Sequence, residues 1–115
     1  LKFGILYHNE GKWESKQIIP KEWVIESLKS SISRSDGGGY GYQFWVFDTQ
    51  IQGKILTIPA AVGNGDQRIY LDKLNNLLVI TTAGNYNNWD IKKNASALLK
   101  RILESIDLTS IEKTE

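Results

Sequence analysis

The stretch that most restricts the fold of this chain is residues 58–86, IPAAVGNGDQRIYLDKLNNLLVITTAGNY. Short β-prone runs alternate here with turn residues. The runs are residues 55–62, 67–71 and 77–83. Asn64-Gly65 lies between the first two runs, and it is the strongest short hairpin signal because both residue types tolerate a positive φ. The pattern predicts consecutive antiparallel strands joined by tight turns.

A fourth strand is predicted ahead of this stretch. Residues 40–48, YGYQFWVFD, are aromatic and β-prone, and a turn over 49–54 around Gly53 follows them. Proline cannot donate a hydrogen bond to a neighbouring strand, so Pro59 indicates a sheet edge or a bulge. Residues 72–76 form the turn before the last strand. About four antiparallel strands result.

Three segments have helical features. Residues 1–9 carry an apolar stripe, and Pro20 suits the first turn of a second helix over 20–31. Residues 12–19 are a connector, and residues 33–41 form a flexible loop containing three glycines. The third helix has the clearest periodicity, which predicts one apolar face over about four turns. Its apolar positions are Ile91, Ala95, Leu98, Leu99, Ile102, Leu103 and Ile106.

The element order predicts an α+β fold in which helices pack on an antiparallel sheet of about four strands. Residues 1–106 form one domain or part of one, and residues 107–115 form a polar tail. The chain contains no methionine, and the apolar start at Leu1 is typical of a helix that lacks its cap. We therefore expect a processed chain or an excised fragment of a longer protein.

Composition excludes several classes of function for this chain. It has no cysteine, so it contains no disulfide, no thiolate metal site and no cysteine nucleophile. His8 is the single histidine, which rules out a multi-histidine metal site. The formal net charge of +1 gives no reason to expect nucleic acid as a partner. No stretch approaches the roughly 20 apolar residues of a membrane span.

Complete catalytic sets are not found by motif. Tyr86-Asn87-Asn88 matches Tyr-x-Asn, and Ser110 to Lys113 matches Ser-x-x-Lys, two patterns of penicillin-recognising serine enzymes. Patterns with two fixed positions arise often by chance, and we interpret both matches as accidental.

The remaining candidate residues favour structural roles. His8 lies on the short amphipathic helix predicted over residues 1–9, which favours a partly buried, hydrogen-bonded histidine over a catalytic one. The tryptophans Trp13, Trp23, Trp45 and Trp89 favour core positions over a ligand groove. Residues 37–39 lack the lysine and helix of a phosphate-binding loop.

The segment FGILYHNEGKWESKQIIPKEWVIES, residues 3–27, resembles a segment of the serine β-lactamase-like family. This family includes class C β-lactamases, penicillin-binding proteins and related esterases. Residues 40–46, 63–71 and 77–87 resemble later segments of the same family. The resemblance covers residues 1–106 and implies the C-terminal part of a two-part hydrolase, belonging to its α/β domain. The family's Ser-x-x-Lys and Tyr-x-Asn residues come much earlier, so the resemblance places no catalytic residue in this chain.

One family element is expected here. Many members carry Lys-Thr-Gly on a strand beside the active site, followed by a backbone N–H that forms part of the oxyanion hole. The resemblance places this element at Ala61-Val62-Gly63 and the donor at Asn64 N–H. Alanine and valine replace the lysine and threonine that bind a substrate carboxylate, which favours an ester or amide over a β-lactam. Asp66 replaces a glycine of the family's Gly-Gly-Gln.

Eight residues are therefore predicted to form the substrate-binding and oxyanion rim. They are Ala61, Val62, Gly63, Asn64, Gly65, Gln67, Trp45 and Tyr42. No cofactor and no metal are expected. The expected partners are the missing N-terminal part and, in the parent protein, a small acyl substrate. Self-association through an uncovered sheet face is also expected. Members of the family are often exported, but the sequence itself predicts no cellular compartment.

Two hypotheses follow for the function. In the first, the chain is the C-terminal fragment of a serine hydrolase of this family and is inactive alone. In the second, it is a free-standing binding or interaction module that has lost catalysis.

Overall fold

The computed structural model describes residues 1–88, 90 and 92–106. The helices are α1 Lys2–His8, α2 Lys21–Leu28 and α3 Lys92–Ser105. The strands are β1 Lys12–Trp13, β2 Lys16–Gln17, β3 Ile32–Ser33, β4 Gly39–Tyr40, β5 Trp45–Ile51, β6 Lys54–Gly63, β7 Gln67–Asp72 and β8 Leu77–Thr81. The predicted tail 107–115, Trp89 and Ile91 lie outside the described residues, as do Ser110 and Lys113.

The described residues form an α+β fold, as predicted. Strands β3 to β8 form one antiparallel sheet in sequence order, and β1 and β2 pair separately as a small hairpin. The prediction of about four strands was too low, because β3 and β4 are two-residue strands at the two ends of residues 33–41, the segment predicted as a loop. The β1–β2 hairpin likewise lies in the predicted connector. Runs this short leave no alternation in the sequence to detect.

The predicted turn over 49–54 was too long. The Gln52 and Gly53 backbones have φ values of 51° and 77°, which make a two-residue hairpin turn. Pairing therefore continues to Ile51 opposite Lys54. Ile51 is fully buried, and this burial extends β5 into the segment predicted as a turn.

The predicted strand over 40–48 is interrupted, and the second helix is shorter than predicted. The Gly41 N–H bonds to the Phe44 carbonyl, while the Tyr42 N–H bonds to the Ser27 carbonyl near the end of α2. This turn leads the chain off the sheet and buries Phe44 against Tyr7 of α1, with ring centroids 5.0 Å apart. Tertiary contacts with the helices thus override the local β preference.

Pro59 does not lie in an edge strand. It faces Val46 of β5, and β6 runs between β5 and β7. However, the pairing of β6 with β7 begins only at Ala60. The missing N–H of Pro59 is tolerated because this half of β6 has one neighbour instead of two.

Two apolar clusters lie on opposite faces of the sheet. One joins α3 to β5, β6 and β7, and its buried members are Ile51, Leu56, Ile58, Ala60, Tyr70, Leu99 and Leu103. The other joins α1 and α2 to the opposite face, and its buried members are Tyr7, Val24, Phe44 and Leu71. No helix among the described residues is long and apolar enough to cross a bilayer.

β8 forms one edge of the sheet. Within the described residues it pairs only with β7. Its sequence, Leu77-Leu-Val-Ile-Thr81, carries no charge and no proline, and all five residues are half-buried. Edge strands of natural proteins usually carry charges, prolines or bulges that prevent further pairing. β8 has none of these protections.

Candidate functional site

A cavity of about 260 Å³ lies at the C-terminal end of β6. Its walls come from the turn between β6 and β7 and from the segment after β8. The lining residues are Val62, Gly63, Asn64, Gly65, Asp66, Asn85, Asn87 and Asn88. Amide side chains and exposed backbone dominate this lining, and Asp66 is the single titratable residue among its described members.

The turn between β6 and β7 holds three residues. Gly63 pairs with Gln67, which leaves Asn64, Gly65 and Asp66 in the loop. The positive φ values fall on Gly65 (85°) and Asp66 (67°), not on Asn64. The predicted turn is confirmed, but the left-handed positions lie one residue later than the Asn-Gly signal indicates. Asp66 therefore occupies a backbone conformation that glycine adopts more easily.

The segment after β8 closes the second wall of the cavity. The Asn85 N–H bonds to the Gly65 carbonyl at 3.3 Å. The side chain of Asn64 donates to Asn87 Oδ1 at 3.3 Å, and its Oδ1 accepts from the Asn87 N–H at 3.5 Å. These contacts tie the turn to the segment 85–88, although more than 20 residues separate them in sequence.

Asp66 is buried beneath the turn. Arg68 Nη2 donates to Asp66 Oδ1 at 3.3 Å, and Asn85 Nδ2 donates to Asp66 Oδ2 at 3.3 Å. Both members of the Asp66–Arg68 ion pair are 7% exposed. Asp66 therefore combines a positive φ at a non-glycine residue with hydrogen bonds to both carboxylate oxygens, a strained backbone position held by its surroundings.

Gln67 supports the turn from behind. Its side-chain amide donates to the Gly65 carbonyl at 3.3 Å and also to the Ala83 carbonyl. It does not line the cavity. The Asn64 N–H, the predicted oxyanion donor, has no acceptor among the described residues.

The predicted rim residues divide into two groups. Val62, Gly63, Asn64 and Gly65 meet in the cavity wall, with Gln67 behind them. Ala61, Trp45 and Tyr42 lie elsewhere and do not line the cavity.

The three outlying residues have contacts of their own. Ala61 packs in the cluster beside α1 and α2. Trp45 stacks edge-on against Tyr40 at 4.9 Å and lies under the Arg34 guanidinium. Tyr42 packs on Trp23 at 5.2 Å. The interrupted strand before β5 explains the position of Tyr42, because the turn at 41–44 directs this segment to α2.

Sequence reasoning missed the asparagines that close the cavity. Asn85, Asn87 and Asn88 line it, and Tyr86 packs on the Gly65 backbone. The available signal was the three asparagines in Ala83-Gly-Asn-Tyr-Asn-Asn88, since a single asparagine is enough to cap the helix that follows. His8 is half-buried, and its Nε2 lies 2.9 Å from Asn76 Oδ1, which confirms the predicted hydrogen-bonded role.

The described residues contain no cluster of three or more histidine or acidic side chains able to hold a metal ion. Comparison with protein-family models and a search of curated proteins found no match for this chain.

Gly65→Ala is expected to lower the free energy of unfolding by about 1–2 kcal/mol, because alanine is strained at a positive φ. The added Cβ would also lie 2.8 Å from the Tyr86 ring, which must move away. Urea denaturation measures the loss. Gly84→Ala is the matched control, since its Cβ would meet no atom within 4 Å and its φ is not positive. Equal losses in the two variants would contradict the turn geometry.

Stability is expected to fall above pH 10. Burial raises the pKa of the Tyr70 phenol above its usual value of 10.0, with the Asp66 carboxylate adding to the effect and Arg68 opposing it. The unfolded chain therefore loses this proton before the folded chain does, and stability present below pH 10 is lost as the pH rises. Denaturation between pH 8 and about 11 measures this. Tyr70→Phe should flatten the alkaline decline, whereas Tyr86→Phe, at an exposed position, should leave it unchanged.

Proposed function

We propose that this chain is the C-terminal part of a serine hydrolase of the β-lactamase-like class. In the intact protein, the turn at residues 63–66 borders an acyl-transfer site. The Asn64 N–H donates to the developing oxyanion, while the N-terminal part supplies the serine nucleophile and its lysine and tyrosine. Alone, the chain has no nucleophile and hydrolyses nothing.

The observation that carries this proposal is the cavity beside the turn. It opens at the end of a strand, and the Asn64 N–H on its wall has no acceptor among the described residues. An oxyanion hole needs such a donor, held by a rigid backbone and free to donate a hydrogen bond to the oxygen that becomes negatively charged in the transition state. The ties to Asn85 and Asn87 give the turn that rigidity.

The partner in this proposal is the missing N-terminal part. The unprotected edge of β8 supports it, because an uncharged apolar edge is a template for a further strand. Leu98 on α3 supports it too, since this apolar side chain is 48% exposed beside a sheet face. Self-association was predicted through an uncovered sheet face, but α3 packs on one face and α1 and α2 on the other. In isolation, the β8 edge and the surface around Leu98 would favour self-association instead.

The second candidate is a binding module without catalysis. One observation favours it: the cavity lining contains no lysine or arginine within the part of the chain that the structure describes, and Ala61 and Val62 stand where many family members have lysine and threonine. A site of this kind would bind neutral, hydrogen-bonding ligands and not carboxylates.

The coding sequence upstream of Leu1 distinguishes the two candidates. We expect an open reading frame of a few hundred codons containing Ser-x-x-Lys and then Tyr-x-Asn. A start codon directly before Leu1 would leave only the binding module. Purified chain is also expected to show no turnover of a chromogenic ester or β-lactam, and serine-dependent turnover would contradict the proposal.

The oxyanion role has its own test in the extended protein. Asn64→Pro removes the N–H, whereas Asn64→Ala keeps it and removes only the side chain. Loss of one oxyanion donor costs about 100- to 1,000-fold in kcat. We expect a loss of this size in the proline variant alone. Equal kcat values in both variants would overturn the assignment of Asn64.

A further inference from the structure

A second cavity, of about 400 Å³, lies between α3 and the sheet. Its floor comes from β5 and β7, and one wall comes from α3. The lining residues are Phe47, Asp48, Thr49, Gln50, Arg68, Tyr70, Ser96, Ala97, Leu99 and Lys100. The function proposed above makes no use of this cavity.

Two residues that line this cavity carry buried hydrogen-bond donors without acceptors. Tyr70 is 2% exposed and Arg68 is 7% exposed. Tyr70 Oη and Arg68 Nε find no partner among the described residues. The Arg68 guanidinium lies beside the Tyr70 hydroxyl, and its Nη2 is already engaged by Asp66. Arg68 and Tyr70 lie two residues apart on β7, so their side chains are on the same face of the sheet.

Leaving buried donors unpaired is costly. Each unsatisfied group loses its hydrogen bonds to water on burial and gains none in the protein, and the cost is higher when the group is charged. A ligand that supplies two acceptor oxygens on one planar group recovers both costs. A carboxylate is such a group, and charge-assisted hydrogen bonds to it are stronger than those to a neutral acceptor.

The rest of the cavity suits a carboxylate joined to an apolar body. Phe47 and Leu99 supply apolar wall, while Lys100 on α3 adds a second cation. Asp48 is the one acid among the described residues of the lining. Its carboxylate accepts hydrogen bonds from the Gly38 N–H and Thr57 Oγ1, so it is engaged by other groups.

We propose that this cavity binds a small monocarboxylate with an aromatic or branched apolar body. The carboxylate oxygens accept hydrogen bonds from Arg68 Nε–H and Tyr70 O–H, and the apolar body contacts Phe47 and Leu99. Lys100 closes the site from α3. The proposal does not depend on the hydrolase assignment, because it needs no serine and no N-terminal part.

Benzoate is a suitable probe for the whole chain, followed by backbone amide NMR. We expect saturable shifts at Phe47, Arg68, Tyr70 and Lys100. Benzamide has the same ring and no charge, and it should bind at least about tenfold more weakly, because a neutral amide accepts weaker hydrogen bonds than a carboxylate does. Tyr70→Phe should weaken benzoate by a similar factor.

Two variants separate binding from folding. Tyr70→Phe removes a hydroxyl that has no partner, so the fold should be kept. Tyr86→Phe removes an exposed hydroxyl outside the cavity and should leave benzoate binding unchanged. Unchanged binding in Tyr70→Phe, or the absence of saturable shifts, would overturn the proposal and leave a water-filled cavity. Equal binding of benzamide, or displacement of benzoate by equimolar inorganic phosphate, would overturn the carboxylate assignment.

Discussion

Asp66→Ala is expected to lower the free energy of unfolding by about 3–5 kcal/mol, the cost of breaking a buried ion pair by removing one partner. The substitution leaves the Arg68 guanidinium buried without its carboxylate, and Asn85 Nδ2 also loses its acceptor. It keeps a non-glycine residue at a φ of 67°. Urea denaturation at neutral pH measures the change.

Asp36→Ala is the matched control for this prediction. Arg34 and Asp36 form an ion pair with the same spacing of two residues, but the Asp36 side chain is 60% exposed. Surface pairs contribute about 0–1 kcal/mol, so the control should lose little stability. Asp66→Gly also breaks the buried pair but relieves the backbone strain, and it should be more stable than Asp66→Ala. A loss below 1 kcal/mol in Asp66→Ala would contradict the buried ion pair.

Leu103→Ala is expected to lower the free energy of unfolding by about 2–5 kcal/mol, as for other fully buried leucines. Leu103 lies on the buried face of α3 and has no exposed surface. It belongs to the same apolar cluster as Leu56, Ile58 and Tyr70 of the sheet. The truncation leaves a cavity that the sheet cannot fill, because its backbone is held by strand pairing on both sides. Thermal or urea denaturation measures the loss.

Leu98→Ala tests which side of α3 faces the sheet. Leu98 lies on the same apolar stripe in the sequence but is 48% exposed. Its truncation should cost less than half as much as that of Leu103, because fewer apolar contacts are lost. Equal losses would place α3 in a different rotation on the sheet. They would also remove one support for a partner at this surface.

The secondary structure was largely predictable because it depends on local rules. The apolar period of α3 and the turn residues between β6 and β7 indicate their elements without any distant contact. The Gln52-Gly53 turn was missed because glutamine rarely takes a positive φ, and only the pairing of Ile51 with Lys54 holds it there. The break at 41–44 was missed for a related reason. Its hydrogen bond to Ser27 and the burial of Phe44 involve α1 and α2, which lie at least 13 residues earlier.

The candidate site shows the same division between local and distant determinants. Local sequence was enough to predict a polar turn after β6, and hence that Gly63, Asn64 and Gly65 lie together. The three-dimensional structure was needed to find that Asn85, Asn87 and Asn88 close the cavity and that Asp66 is paired with Arg68. It also placed Trp45 and Tyr42 away from the cavity. Local backbone preferences fix a turn, whereas the return of the chain after β8 depends on the sheet register and on burial, which join residues far apart in sequence.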